Sequence, residues 1–163
     1  MKLMAEFTDH GLNFMTEAKE TGGKNHFIEG VFMQSEAKNR NGRVYPKMVM
    51  EKAVDRYVTE QVKTGRAVGE LNHPEGPTIN LDKVSHIIEK LDWSGNDVVG
   101  KARILETPMG NIVKGLLDGG VRLGVSTRGM GSLEERNGVM VVKDDFHLST
   151  VDIVQDPSAP TAF

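Results

Sequence analysis

A chain of 163 residues, 38% hydrophobic and 26% charged, is long enough to bury one real core and ordinary in composition for a soluble globular protein. A net charge of -3 argues against a general nucleic-acid coat and against a polybasic membrane anchor. Cysteine is absent, which removes disulfides, thiolate metal sites and a cysteine nucleophile together.

Met1 to Phe7 has no sustained apolar stretch and already contains Glu6, so it does not read as a signal peptide. No apolar run approaches the roughly 20 residues that span a bilayer. A cytoplasmic protein, in contact with neither membrane nor nucleic acid, is expected. Residues 1–25 are polar and turn Gly-rich at Thr21-Gly22-Gly23, and read as a flexible N-terminal arm ahead of a single domain over 26–163.

The first strong strand is His26 to Gln34, followed by a polar loop whose Asn41-Gly42 is a turn signal. Pro46 opens a helix in which Met50, Ala53, Val54, Tyr57, Val58 and Val62 recur at helical spacing, with Gly65 placed to end it. Ala67 to Leu71 reads as a short strand. Val84 to Trp93 and Val98 to Leu105 flank Ser94-Gly95-Asn96-Asp97 as a β-hairpin. Thr107-Pro108 caps a helix through Leu117. Strands follow at Val121 to Ser126, Met130 to Glu135, Val139 to Lys143 and Phe146 to Gln155, and the Pro-rich tail from Asp156 closes the fold. The pattern predicts an α+β fold, a predominantly antiparallel sheet or barrel with two main helices.

Two short motifs bear on chemistry. Gly69-Glu70-Leu71-Asn72-His73-Pro74 puts a histidine in a loop able to project it into a cleft, and a solvent-facing turn residue is the bland alternative. Gly124-Val125-Ser126-Thr127-Arg128-Gly129 puts a serine in a Gly-flanked turn after an alternating strand. There it either attacks a carbonyl or caps its own backbone. Glycines at 124 and 129 permit close approach of another backbone, and N–H groups near Arg128 and Gly129 are candidates to hold an oxyanion.

His10, His26, His86 and His147 have weaker contexts, and Thr127 and Ser132 are weaker hydroxyls. Asp152 sits between Val151 and Ile153 in the last strand, where a carboxylate is not buried unpaired. An imidazole N–H would partner it, or the side chain reaches solvent; Glu70 is the other acid within range. Histidine before serine excludes the α/β-hydrolase nucleophile elbow. Neither zincin spacing nor a Walker loop occurs, so no metal and no cofactor is expected.

Five blocks in order carry a resemblance: Gly30-Val31-Phe32-Met33-Gln34, Asn39-Arg40-Asn41-Gly42-Arg43-Val44-Tyr45-Pro46, the His73 and Ser126 motifs, and Pro157-Ser158-Ala159-Pro160. From about Phe27 to Pro160 the chain resembles the prohead core (maturation) proteases of T-even-type tailed phages. That family is similar in fold to herpesvirus assemblin, a β-barrel with surrounding helices. The resemblance implies a serine endopeptidase, with His73 as base and Ser126 as nucleophile.

The third assemblin member, a histidine, aligns near Thr150, which cannot take a charged role; Asp152 on the same face is the substitute, against Glu70 or a bare dyad. The resemblance further implies action inside the assembling prohead, in the host cytoplasm, where crowding favours self-association. Substrates would be scaffold or core proteins, the major capsid protein and the protease itself. Cleavage is expected after glutamate with an aliphatic residue two positions earlier, the form of Ile104-Leu105-Glu106 and Leu133-Glu134-Glu135. Family members resemble zymogens with tails removed by self-cleavage, so an end at Phe163 fits a processed or truncated form. Arg40, Arg43, Arg66 and Arg128 are the candidate partners for the substrate glutamate. The alternative is a non-catalytic capsid-assembly module that kept the fold.

Overall fold

The computed structural model describes residues 1–8, 12–72, 74 and 76–155. In chain order its elements are β1 (Lys2–Thr8), β2 (Asn13–Ala18), β3 (Lys24–Gln34), β4 (Arg43–Val44), α1 (Lys47–Tyr57), β5 (Val68–Glu70), β6 (Val84–Ser94), β7 (Asp97–Ile104), α2 (Pro108–Asp118), β8 (Leu123–Gly131), β9 (Leu133–Arg136), β10 (Val139–Val142) and β11 (His147–Gln155).

Both helices form where capping and spacing require. Pro46 precedes α1, which turns Met50, Ala53, Val54 and Tyr57 inward. Its continuation over Val58–Val62 widens into a π turn, and Gly65 ends it at a φ of 72°. At α2 the Thr107 hydroxyl accepts the Gly110 N–H at 3.0 Å, with Pro108 in the first turn. The β6–β7 hairpin closes at the expected turn, in register from Ser94↔Asp97 to His86↔Ile104.

The strands form three sheets, ordered β2-β3-β7-β6-β5, β1-β8-β11 and β4-β10-β9. Every named pair is antiparallel except β4 with β10. The α+β, mostly antiparallel expectation holds. The closed barrel does not, because among the described residues no ladder joins β5 to β11. At that seam side chains stand in for the ladder. The Thr150 hydroxyl donates to the Val68 carbonyl at 2.8 Å, the Glu70 N–H donates to the Asp152 carboxylate at 3.0 Å, and the one isolated bridge is Leu71↔Ile153. The interruption of the barrel is therefore also what brings two carboxylates to the seam.

The N-terminal segment departs from the loose arm read in it. Lys2–Thr8 pairs with Val125 to Gly131 of β8, and Met4 and Ala5 are buried. Asn13–Ala18 adds to the edge of β3. Ladder bonds to existing strands hold both segments, and a polar sequence can supply those as well as an apolar one. The core lies between the sheets and α1, and includes Phe32, Met50, Tyr57, Ile88, Val98, Leu148 and Ile153. The Pro-rich tail after Gln155 and His10 lie outside the described residues.

Candidate active site

Ser126 does not sit in a turn. It lies in the middle of β8, which continues to Gly131 with β1 on one side and β11 on the other. Two ladders keep the strand extended through Gly129, where a turn was expected. Gly129 is required for packing: a Cβ there would stand 2.7 Å from both the His147 carbonyl oxygen and the Phe146 ring. At Gly124 a Cβ would stand 2.3 Å from the Phe7 ring.

Across the ladders Ser126 is the direct partner of Phe7 on β1 and of Asp152 on β11. Directly opposed residues of antiparallel strands share a face, with Cβ atoms roughly 4.5–5.5 Å apart. The register therefore places the serine beside the carboxylate singled out from the sequence. Both are fully buried, and the Ser126 Oγ has a long contact of 3.5 Å to the Thr127 carbonyl oxygen.

Asp152 is fixed from two directions. Arg128, two residues beyond Ser126 on the same face of β8, donates from Nε to Oδ2 at 2.9 Å and from Nη2 to Oδ1 at 3.0 Å. The Glu70 N–H donates to Oδ1. Burial raises the Asp152 carboxyl above its ordinary pKa, and the Arg128 bonds oppose that rise.

The remaining Arg128 donors go elsewhere. Nη2 also reaches Glu70 Oε2 at 3.0 Å, and Nη1 reaches the carbonyls of Gly76 and Thr78, each at 3.0 Å. A guanidinium has five N–H donors. All five are taken here, and the residue is 1% exposed. The side-chain donors of Arg128 are thus all engaged inside the β5–β11 seam. Gly129 likewise has a packing reason for being glycine that needs no oxyanion.

His73 lies outside the described residues, but the chain around it is tied to this cluster. Asn72, in the left-handed region at a φ of 72°, donates its N–H to the Ile153 carbonyl at 2.8 Å, one residue from Asp152. Beyond it, Gly76 and Thr78 are held by Arg128. Asn80 donates its N–H and its side-chain amide to the Glu70 carboxylate at 3.1 and 3.2 Å. Glu70, the rival acid, is thus committed to Arg128 and Asn80, while Asp152 holds the register position beside Ser126.

Thr150 belongs to the seam: its hydroxyl donates to Val68 and accepts from Tyr57 at 3.2 Å. His86 is buried in β6 with Nε2 donating to the Val151 carbonyl at 2.7 Å.

A mixed, mostly antiparallel α+β protein with a buried serine and a guanidinium-clamped carboxylate in cross-strand register is the class defined so far. A family model described as "Prohead core protein serine protease" matches residues 11–163, and the chain belongs to that family. The prohead core protein protease of Enterobacteria phage T4 is 46% identical to it over 146 residues, 84% of this chain. The chain spans 66% of the length of that relative. The solved structure of the bacteriophage T4 capsid assembly protease, gp21, superposes with a TM-score of 0.90 at 37% identity, covering 96% of this chain and 98% of that one.

Proposed function

We propose that this chain is the serine endopeptidase of phage prohead maturation, acting inside the assembling prohead on scaffold or core proteins, the major capsid protein and itself. Ser126 Oγ attacks the scissile carbonyl carbon, His73 takes the hydroxyl proton and returns it to the leaving amine, and water then releases the acyl group by the same route. Asp152 orients the imidazole and stabilises its charged form. Two carboxylates against one guanidinium leave the Glu70–Asp152–Arg128 cluster with one excess negative charge, which favours an imidazolium beside it. The likeness to assemblin enters through the shared serine-and-histidine chemistry, with a carboxylate in the third place.

The observation that carries the reading is the register Ser126↔Asp152 in a chain that belongs to a serine protease family. A segment of the chain itself supports the self-cleavage part of this reading. Met4-Ala5-Glu6 has the apolar-x-Glu form, and β1 runs antiparallel beside β8 with Glu6 opposite Thr127 and Phe7 opposite Ser126. Leu133-Glu134-Glu135, by contrast, lies in β9, and Ile104 ends β7.

The test is cleavage of a scaffold substrate carrying an apolar-x-Glu segment. Ser126→Ala and His73→Ala should each lose activity by on the order of 10⁴-fold or more while keeping the native circular dichroism. Full turnover by Ser126→Ala would sink the reading, and a wild-type chain that binds capsid proteins without cutting them would favour the assembly module.

A further inference from the structure

We infer that Arg56 and Tyr57 of α1 are positioning residues for Asp152, because they anchor a one-residue bulge in β11 that brings the carboxylate opposite Ser126. The inference rests on the protease reading above and deepens it. Its basis is the register between β11 and β8. Leu148 stands opposite Gly129, but Thr150 stands opposite Arg128, so Ser149 is an extra residue in the ladder. Every pair from Thr150 onward is displaced by that one residue. Had the register of Leu148 continued, Val151 would face Ser126 and Asp152 would face Val125.

The sequence requires the extra residue. Side chains of an unbroken strand alternate, so residues two apart share a face. Leu148 belongs to the core, and the next core residues along β11 are Val151 and Ile153. The step from Leu148 to Val151 is odd, and the bulge absorbs it. Thr150 and Asp152 are thereby turned to the β5 seam, where Thr150 donates to the Val68 carbonyl and Asp152 accepts from the Glu70 N–H. A slip that erased the bulge would bury the Asp152 carboxylate in the core and separate it from Arg128.

Consecutive residues of α1 hold the two sides of the bulge. On the upstream side Arg56 Nη2 donates to the Leu148 carbonyl at 2.5 Å, while its Nη1 is paired with Glu60 at 2.7 Å. On the downstream side the Tyr57 hydroxyl donates to the Thr150 hydroxyl at 3.2 Å, which donates onward to Val68. Burial pushes the Tyr57 phenol up to about 12, so it keeps its proton across the physiological range.

Beyond Thr150 the strand is held from the other sheet. His86 donates to the Val151 carbonyl, and the Asn72 N–H donates to the Ile153 carbonyl. The α1 anchors therefore act on the stretch upstream of Asp152, which those bonds do not reach. Arg56 and Tyr57 bond to β11 and not to Ser126, so their effect on the reaction runs through the placement of the acid. A displacement of about 1 Å at a catalytic group costs on the order of 100-fold in rate.

The experiment measures kcat and KM of the full chain on a peptide carrying an apolar-x-Glu segment. Tyr57→Phe removes one anchor and keeps the ring; Arg56→Met removes the other and keeps the aliphatic stem. Each should lower kcat at least about tenfold, with KM within about twofold of the parent. Arg56→Lys, which can still donate to the Leu148 carbonyl, should recover most of the kcat lost in Arg56→Met. In chains already carrying Asp152→Asn, the same two substitutions should cost less than about twofold more, because the group they position is gone. Full additivity there, or an unchanged kcat in both variants, overturns the positioning role. If Arg56→Met does not fold, Tyr57→Phe decides. Amide hydrogen exchange supplies a readout free of turnover: residues 149–152 should exchange at least about tenfold faster in the variants than in the parent. Unchanged exchange overturns the anchoring whatever the activity. Faster exchange in the variants of a parent that does not cleave overturns the protease reading instead.

Discussion

Arg128 holds Asp152 through two parallel hydrogen bonds of 2.9 and 3.0 Å, and neither side chain is more than 1% exposed. The same guanidinium secures Gly76 and Thr78 in the loop that follows His73. Arg128→Met would leave Asp152 and Glu70 buried without their counter-ion, and should cost about 3–5 kcal/mol in urea unfolding. Arg128→Lys restores the charge but not the fork, so its stability should lie closer to that of the Met variant than to the parent. In both, limited proteolysis should cut the 72–80 loop at rates well above those of the parent.

Asp152 and Glu70 share Arg128, yet their predicted effects on activity differ. Asp152→Asn keeps the shape beside Ser126 and removes the charge proposed above to steady an imidazolium, so on that reading kcat/KM should fall by on the order of 10⁴-fold. Glu70→Gln removes a charge whose oxygens are occupied by Arg128 and Asn80, and should cost less than about tenfold in folded protein. Steady-state kinetics on one peptide substrate separates the two acids. The reverse order would make Glu70 the orienting group.

Gly129→Ala tests whether that glycine serves packing or chemistry. A Cβ 2.7 Å from the backbone oxygen of His147 forces β8 and β11 apart, for about 1–3 kcal/mol of lost stability. The N–H is retained, so kcat measured well below the melting temperature should stay within about threefold of the parent. A loss of tenfold or more in fully folded protein would return Gly129 to the oxyanion site.

The two sequence motifs stand out in the chain because their patterns are local: a histidine beside a proline, a serine after an apolar alternation. Asp152 was legible for a different reason, since a carboxylate between Val151 and Ile153 demands a buried partner. That partner was not readable. Arg128 draws its acceptors from Glu70, Gly76, Thr78 and Asp152, which only the assembled β5–β11 seam brings together. The turn expected at Ser126 failed because the glycines at 124 and 129 accommodate aromatic rings and do not bend the chain. β1 was hidden for a related reason. Lys2–Thr8 carries too weak an apolar pattern to announce a strand, and its order comes from β8 and from the bond between Arg43 and Glu6. Where periodicity and capping carried the signal, in α1, α2 and the β6–β7 hairpin, the elements lie where they were expected.

His86 builds a pH dependence into the fold that is separate from any catalytic titration. Its ring is fully buried between the Ser85 hydroxyl, 2.7 Å from Nδ1, and the Val151 carbonyl, which accepts from Nε2. Burial lowers its pKa from 6.5 to about 4. The unfolded chain therefore takes up this proton at higher pH than the folded one. Its contribution is fully present above pH 6.5 and is lost as the pH falls toward 4, for about 3 kcal/mol across that window. Urea midpoints measured between pH 7 and 4 should fall along this course. In His86→Gln, which offers an amide to the same carbonyl but cannot titrate, the slope between pH 6.5 and 4 should be shallower by most of that amount, even if the variant is less stable at pH 7. An unchanged slope would mean that the native imidazole takes up its proton no less readily than the unfolded chain does, and would overturn the burial effect.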